Sequence, residues 1–397
     1  MGLIRGIRVD YAGYSYSAET QAEFFKAEAE MLRFADELTH SPSAKYMRST
    51  LLAIDAVFAI RIAEDVTLPV VPLITSFDLT DWKHHGDTKK SVRAQYSEFQ
   101  FPKEHLALAT EALHYMQCLE WIADMAKPDT TITVNTILHL HEILLNGKTA
   151  DNRYHGFRTT SLPNGKGTDP ALIPSEISDL CRFINANAFS PIGQASVIHH
   201  AFESIAPFDS MVDRTGLVVA FISLFKRGLY TDGYMAPICW GASLEKDFRK
   251  VLRDSSRDKS SPETHLHYRE AWAAYNARNT YMSVVIARSF LSAATQLRTK
   301  WRSQGLRIPT NSALDRLLDL LLAIPGVSTI RAADIIGKSY GATNEAMAQL
   351  AKAGIVREVA LDGRERVFIC DQSAAMITEF VENLVKISMQ AETGNPK

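Results

Sequence analysis

The chain has 397 residues, 46% of them hydrophobic, and a formal net charge of −2. That length predicts two or three domains with cores of their own, and the near-neutral balance excludes a global attraction to nucleic acid or anionic lipid. No apolar run approaches the ~20 residues of a membrane span, so a membrane partner is not expected. Met1 to Ser17 carries Arg5, Arg8 and Asp10 and lacks a signal-peptide core. Cys118, Cys181, Cys239 and Cys370 are scattered without a C-x-x-C pair, which suits buried thiols in a reducing cytoplasm.

Helical periodicity dominates in chain order. Ala18 to Leu38 sets Phe24, Phe25, Met31, Leu32, Ala35 and Leu38 among Glu and Lys, an amphipathic helix. Lys103 to Lys127 and Ile132 to Leu145 repeat the pattern. Asn152 to Ala171, with Gly156, Pro163, Gly165, Gly167 and Pro170, reads as a loop or hairpin. Helices resume at Pro174 to Asn187 and Ile192 to Ile205. Arg214 to Phe225 is apolar nearly all round and belongs at the centre of a bundle. Arg253 to Thr264 reads as a surface loop and Pro309 to Ser312 as a linker.

Beyond Ser312 the texture changes. Ser312 to Leu322 and Ser328 to Ile336 read as helices, the second capped by Ser328 or Thr329. Gly337 to Gly341 makes a turn, and Ala342 to Ala353 a third helix ended by Gly354. Val356 to Ala360 and Arg366 to Ile369 flank Asp362-Gly363, a hairpin signal. Three helices and a hairpin resemble a winged helix.

The segment Ile198-His199-His200-Ala201-Phe202-Glu203-Ser204-Ile205-Ala206-Pro207-Phe208-Asp209-Ser210-Met211-Val212-Asp213-Arg214-Thr215-Gly216-Leu217 carries the most information. It resembles the active-site motif of the Fic (Fic/Doc) family of nucleotide-monophosphate transferases, H-x-x-F-E-x-I-H-P-F-x-[DE]-G-N-G-R-x-G-R. His199, Phe202, Glu203, Ile205, Pro207, Phe208, Arg214 and Gly216 fall on it in register. Many members of that family also carry a C-terminal winged helix. The resemblance implies a mostly α protein: a Fic-like helical bundle core with a small β-hairpin flap, plus a C-terminal winged helix-turn-helix of α+β type. The domains it implies are an N-terminal helical region over 1–105, the core over 106–305, the winged helix over 306–390 and a disordered tail over 391–397.

In that family the motif histidine is a general base, the acidic residue holds a metal ion on the nucleotide phosphates, and the arginines neutralise phosphate charge. The reactive positions differ here. Ala206 replaces the base, a loss of roughly 10²–10⁴ in rate, and His199 and His200 lie about 10 Å back along the helix. Ser210 replaces the carboxylate, a poor metal ligand. Met211 and Val212 replace glycine and asparagine, and Leu217 replaces the second arginine. Asp213 puts a negative charge where a phosphate is expected, and it could cap a helix starting at Arg214. Arg214 is the residual phosphate contact. Upstream, Gly156, Phe157, Arg158 and Thr159 resemble the family's flap, which holds a target segment by strand addition. The family's inhibitory pattern, [ST]-x-x-x-E-[GN], finds its nearest counterpart in Ala59 to Glu64, without the hydroxyl and with the glutamate one position late. With Leu217 in place of the second arginine there is nothing for it to restrain.

Other chemistry is weak. His139 and His141 are two apart on a helix and point apart, so packing or surface roles fit them, as they fit His84, His85, His265 and His267. No metal site, phosphate loop or dinucleotide fingerprint is evident. Over 306–397 there are ten Lys and Arg against eleven Asp and Glu. DNA contact would rest on a modest stripe of Arg331, Lys338, Asn344, Gln349, Lys352, Arg364 and Arg366.

Three readings follow. The first is a cytoplasmic, catalytically degenerate regulator with no cofactor and double-stranded DNA as partner. The second is a protein AMP-transferase, or a related nucleotidyl or phosphoryl transferase, with a rearranged site that uses ATP with Mg and modifies a protein hydroxyl. The third is a non-catalytic module that binds a protein partner at the flap. A homodimer is compatible with each.

Overall fold

The computed structural model describes residues 16–64, 66–79, 101–145, 156–163, 167–186, 190–229, 262–360 and 366–392. The protein is mostly α-helical, as the periodicity predicts. Among the described residues no helix is long and apolar enough to cross a membrane. His84, His85, Cys239, residues 361–365 with Arg364, and residues 393–397 lie outside the described residues.

The helices in chain order are α1 (Ala18–Thr39), α2 (Ala44–Glu64), α3 (Val70–Leu79), α4 (Leu106–Met125), α5 (Val134–Leu145), α6 (Ile173–Ala186), α7 (Pro191–Ile205), α8 (Val212–Lys226) and α9 (Pro262–Arg302). Then come α10 (Ala313–Ala323), β1 (Gly326–Ser328), α11 (Thr329–Ile336), α12 (Tyr340–Lys352), β2 (Arg357–Ala360), β3 (Arg366–Ile369) and α13 (Asp371–Glu392). The chain divides into two compact units, one of 1–35, 62–65 and 114–284, the other of 36–61, 66–113 and 285–397.

In the first unit α7 and α8 lie against each other, with α5 against α8 and α6 against α7. The all-apolar reading of α8 is met, since Arg214 through Lys226 are buried. Gly216 lets the two helices touch. A β-carbon there would come within 3.2 Å of Glu203 Oε1 and Phe202 Cδ1, too tight for ordinary packing. At the far end of α8, Lys226 Nζ donates to Thr130 O and to Asn185 Oδ1, and Asn185 also pairs with both backbone groups of Ile132. These bonds satisfy the buried ammonium, and the Asp129 carboxylate adds a coulombic attraction. On α1 the apolar stripe divides. Phe24, Met31, Ala35 and Leu38 point inward, joined by Phe34, whereas Phe25 and Leu32 are 75% and 48% exposed.

The second unit holds the C-terminal elements. Ser312, Ser328 and Ser339 each accept a backbone N–H at the start of α10, α11 and α12. Gly337 and Gly354, at φ +62° and +69°, end α11 and α12. The turn between those helices is shorter than expected, because Tyr340 and Gly341 already belong to α12. The predicted hairpin β2–β3 is present, and β1 adds a third antiparallel strand, in the order β1-β3-β2, pairing Val327 with Phe368. Arg298 and Arg302 in the last turns of α9 bond Asp315, and Arg298 also bonds Asp319, which fixes α10 to α9. The expected loop over 253–264 is helical from Pro262, and its earlier residues are not described.

Candidate functional site

The motif forms the end of α7, a six-residue turn and the start of α8. Ser190 Oγ caps α7, and its last backbone bond runs from Ala206 N–H to Phe202 O. Ala206, where the family has its base, sits in the left-handed region at φ 47°, ψ 64°. An L-residue there costs roughly 1–2 kcal/mol, so something must hold it.

Arg158 does. Its side chain is buried and collects carbonyls. Nε donates to Ala206 O at 2.7 Å, Nη1 to Thr160 O at 2.8 Å, and Nη2 to Thr168 O and, at 3.3 Å, to Ile205 O. Its backbone N–H donates to Pro207 O at 2.9 Å, and Thr168 N–H to Ile205 O at 3.0 Å. A guanidinium thus caps the carbonyl end of α7, where a cation is favoured. Gly167 makes room for it: at φ +75°, a β-carbon there would meet Nη2 at 2.8 Å.

Phe157 rests on Phe208 at 5.7 Å between ring centroids, while Gly156 and Thr159 are exposed. The described part of the expected flap, 156–163, contains no strand. Two of its four candidate residues therefore turn inward and brace the motif turn. Within the Asn152 to Ala171 stretch, 152–155 and 164–166 lie outside the described residues.

His141, assigned a packing or surface role from its spacing, is part of the same brace. Its ring lies flat on Phe208, at 3.6 Å and 2°. Nδ1 is 3.1 Å from Thr215 Oγ1, which itself donates to Met211 O at 2.6 Å. Thr215 has spent its only hydrogen, so Nδ1 carries the proton. Burial holds the His141 pKa down at about 4.

Helix α8 begins two residues earlier than the sequence suggests, at Val212 rather than Arg214. Met211 is its N-cap, left-handed at φ 57° and without a side-chain cap. Asp213 therefore does not cap the helix but lies inside its first turn, where Oδ1 accepts the N–H of Arg214 at 2.9 Å. The backbone keeps the positive φ that a glycine would adopt without strain although a methionine stands there.

Arg214 is buried, with Nη2 bonded to Glu64 Oε1 at 2.8 Å and Nη1 2.9 Å from Met211 Sδ. Glu64 is the last residue of α2. The expectation that the Ala59 to Glu64 segment has nothing to restrain is corrected: its glutamate engages Arg214, not the position of Leu217. Leu217 faces a crevice between helices, beside His199, Phe221 and Thr280.

Behind the turn, Glu203 Oε1 is buried, accepts no hydrogen bond and lies 4.0 Å from His199 Nε2. Burial, and then the nearby Asp213 carboxylate, push the Glu203 pKa up to about 8. Burial, and then His200, hold His199 down at about 3. The pair is neutral near pH 7 and forms no ion pair. Among the described residues, no group of three or more His, Cys, Asp or Glu side chains could hold a metal ion. Ser210 and Asp209 are exposed.

Three of the C-terminal candidates, Arg331, Asn344 and Arg366, are engaged within the chain. Arg366 forms a two-pronged bond to Glu358, at 2.6 Å on both nitrogens, and donates to Asn344 Oδ1 at 2.8 Å. Arg331 bonds Asp334 at 3.0 Å. Gln349 and Lys352 are exposed on α12, with Lys338 half-buried in the preceding turn.

Residues 131–224 match the model of the Fic/DOC family. No curated protein matches the chain. Among solved structures it is similar to a Fic family protein from Desulfovibrio desulfuricans G20, at 14% identity and a TM-score of 0.46 over 90% of this chain and 97% of that one. It is similar to a Fic domain containing signaling protein from Bacteroides thetaiotaomicron VPI-5482, at 13% identity and a TM-score of 0.45 over 66% of this chain and 95% of that one. It is also similar to Fic-1 from C. elegans, at 14% and 0.47 over 70% and 74%. The brace of Arg158 and His141 and the turn they hold lie within the matched span, and the chain therefore carries a Fic/DOC family domain over residues 131–224.

Proposed function

We propose that this chain is a cytoplasmic regulator built on a Fic-type core that cannot transfer AMP by the family's chemistry, and that its C-terminal module is a winged helix contacting double-stranded DNA. One observation carries the first part. Arg214, the cation the motif reserves for phosphate, is bonded to Glu64, and the Asp213 carboxylate already takes the first-turn N–H beside it.

Members of the family commonly transfer AMP to protein hydroxyls. Here Ala206 has no proton to accept and Ser210 offers only a neutral oxygen. The residues at this turn do not suit a magnesium-bound nucleotide, because an added phosphate would face Asp213 at close range. Calorimetric titration with ATP and Mg²⁺ tests this, with no saturable binding expected. Micromolar binding lost on Arg214→Ala would overturn it.

The DNA reading rests on the short turn between α11 and α12, the serine caps of both helices, and the exposed Gln349 and Lys352. Its weakness is electrostatic, since Arg331 and Arg366 are tied to carboxylates. Binding should therefore be weak and fall steeply with salt. Lys338→Ala/Lys352→Ala should reduce duplex affinity about tenfold at low salt in fluorescence anisotropy. An unchanged affinity would place the nucleic-acid contact elsewhere or remove it. The cytoplasmic assignment is supported by Cys118, Cys181 and Cys370, which are free and buried.

A further inference from the structure

Helix α1 has two apolar stripes, one buried and one largely exposed. The inner stripe is Phe24, Ala27, Met31, Phe34 and Ala35. The outer one is Ala18, Ala22, Phe25, Ala29 and Leu32, spaced alternately four and three residues apart, the seam pattern of paired helices. Ala18, Ala22, Phe25 and Leu32 are exposed and Ala29 is half-buried. A phenylalanine 75% exposed on a regular apolar seam is a docking face rather than a stray surface residue.

We propose that two copies of this chain pair through this seam, with their α1 helices antiparallel. Size and charge choose both the occupant and the direction. Centred on residue 27, an antiparallel pair sets Phe25 against Ala29 of the partner subunit and Leu32 against Ala22 of the partner subunit. Each large side chain meets a small one, so the central layers from Ala22 to Leu32 fill evenly, while Ala18 falls opposite Asp36 of the partner subunit at either end. A parallel pair would instead stack Phe25 on itself and leave alanine opposite alanine.

At the two ends of the seam the flanking charges agree. Glu19, exposed at the start of α1, falls beside Arg33 of the partner subunit, and the pairing repeats at the other end by symmetry. Arg33 is 67% exposed and bonds Glu30 three residues back on its own helix, a pair with one exposed partner, worth little and easily exchanged. Lys26, which borders the seam, lies over the Tyr281 ring at 4.0 Å. Its charge is thereby drawn toward its own chain and away from the symmetry axis.

From Ala18 to Arg33 the seam is about 22 Å long, shorter than a standard stable interface supplies. The dimer should dissociate on dilution. Sedimentation velocity of the full chain over a concentration series should show a reversible monomer–dimer equilibrium. Phe25→Asp/Leu32→Asp should move its midpoint at least about tenfold higher with an unchanged melting temperature, since both residues are exposed. Direction is tested with Ala22→Cys and Leu32→Cys proteins. Under oxidation the two mixed together should cross-link through these cysteines, whereas neither should do so alone, because identical positions lie about 15 Å apart along antiparallel helices. Three results would overturn the proposal: a monomer at all concentrations, as a docking face for a different protein would give; a dimer unaffected by the aspartates; or self-cross-linking of either single variant.

Discussion

Arg158 shows how one side chain can hold a turn that its sequence disfavours. It bonds four carbonyls, two of them at the end of α7, and its removal takes a donor from each, with Ile205 O keeping only the Thr168 N–H. Arg158→Ala should lower unfolding free energy by about 3 kcal/mol or more in urea titration. Arg158→Lys should recover little, because an ammonium cannot fork between them. A loss below about 1 kcal/mol would mean the carbonyls find water. Ala206→Gly should act in the opposite direction, raising stability by about 1 kcal/mol through relief of the left-handed strain.

Glu203 makes a pH-dependent prediction. Its folded pKa of about 8 lies above the ordinary 4.5, so the folded state keeps a proton that the unfolded state loses. Stability therefore falls as pH rises from about 4.5 to about 8. Glu203→Gln should abolish that fall and be roughly 2–4 kcal/mol more stable than the parent at pH 8, with little difference at pH 5. The buried histidines act on the acid side. Their folded pKa values, about 4 for His141 and about 3 for His199, lie below the ordinary value, so stability falls as pH drops below about 6.5. Equal pH profiles for parent and Glu203→Gln would mean the carboxylate is solvated after all.

At the level of elements, the amphipathic and all-apolar helices were legible because burial imposes a period. Helix α8 was evident from its nearly continuous apolar run, α11 from its Ser328 or Thr329 cap, and α12 from the glycines that bound it, Gly337 to Gly341 before and Gly354 after. Three features were not legible, each for a physical reason. Strand β1 is three residues long, too short to show alternation. The N-cap of α8 was misplaced to Asp213 because a favoured capping residue stands next to a methionine that takes the unfavoured left-handed conformation. The bond between Glu64 and Arg214 joins residues 150 apart in sequence, and only the fold brings them together. The same bond gives a prediction. Glu64→Ala should leave the fold intact and release Arg214, increasing the accessibility of its guanidinium to an arginine-selective dicarbonyl reagent severalfold. Unchanged modification, measured by mass spectrometry, would mean that Met211 and the burial of Arg214 suffice to shield it.

For the molecule as a whole, the proposal is that the motif retains what builds the turn and loses what reacts in it. Phe202, Phe208 and Gly216 pack it, and Arg158 and His141 brace it, while Ala206, Ser210 and Leu217 stand at the positions of base, metal ligand and second arginine. The Fic/DOC domain could be read from the sequence because the packing residues fall on the family pattern in register. The engagement of Arg214 could not, nor could the inward turn of Arg158. The central claim is that the core does not transfer nucleotide. The most direct test incubates the purified protein with α-labelled nucleoside triphosphates, Mg²⁺ or Mn²⁺ and a cell lysate. The account predicts no labelled protein above the level given by Arg214→Ala, and a labelled band that disappears with Arg214→Ala would contradict it.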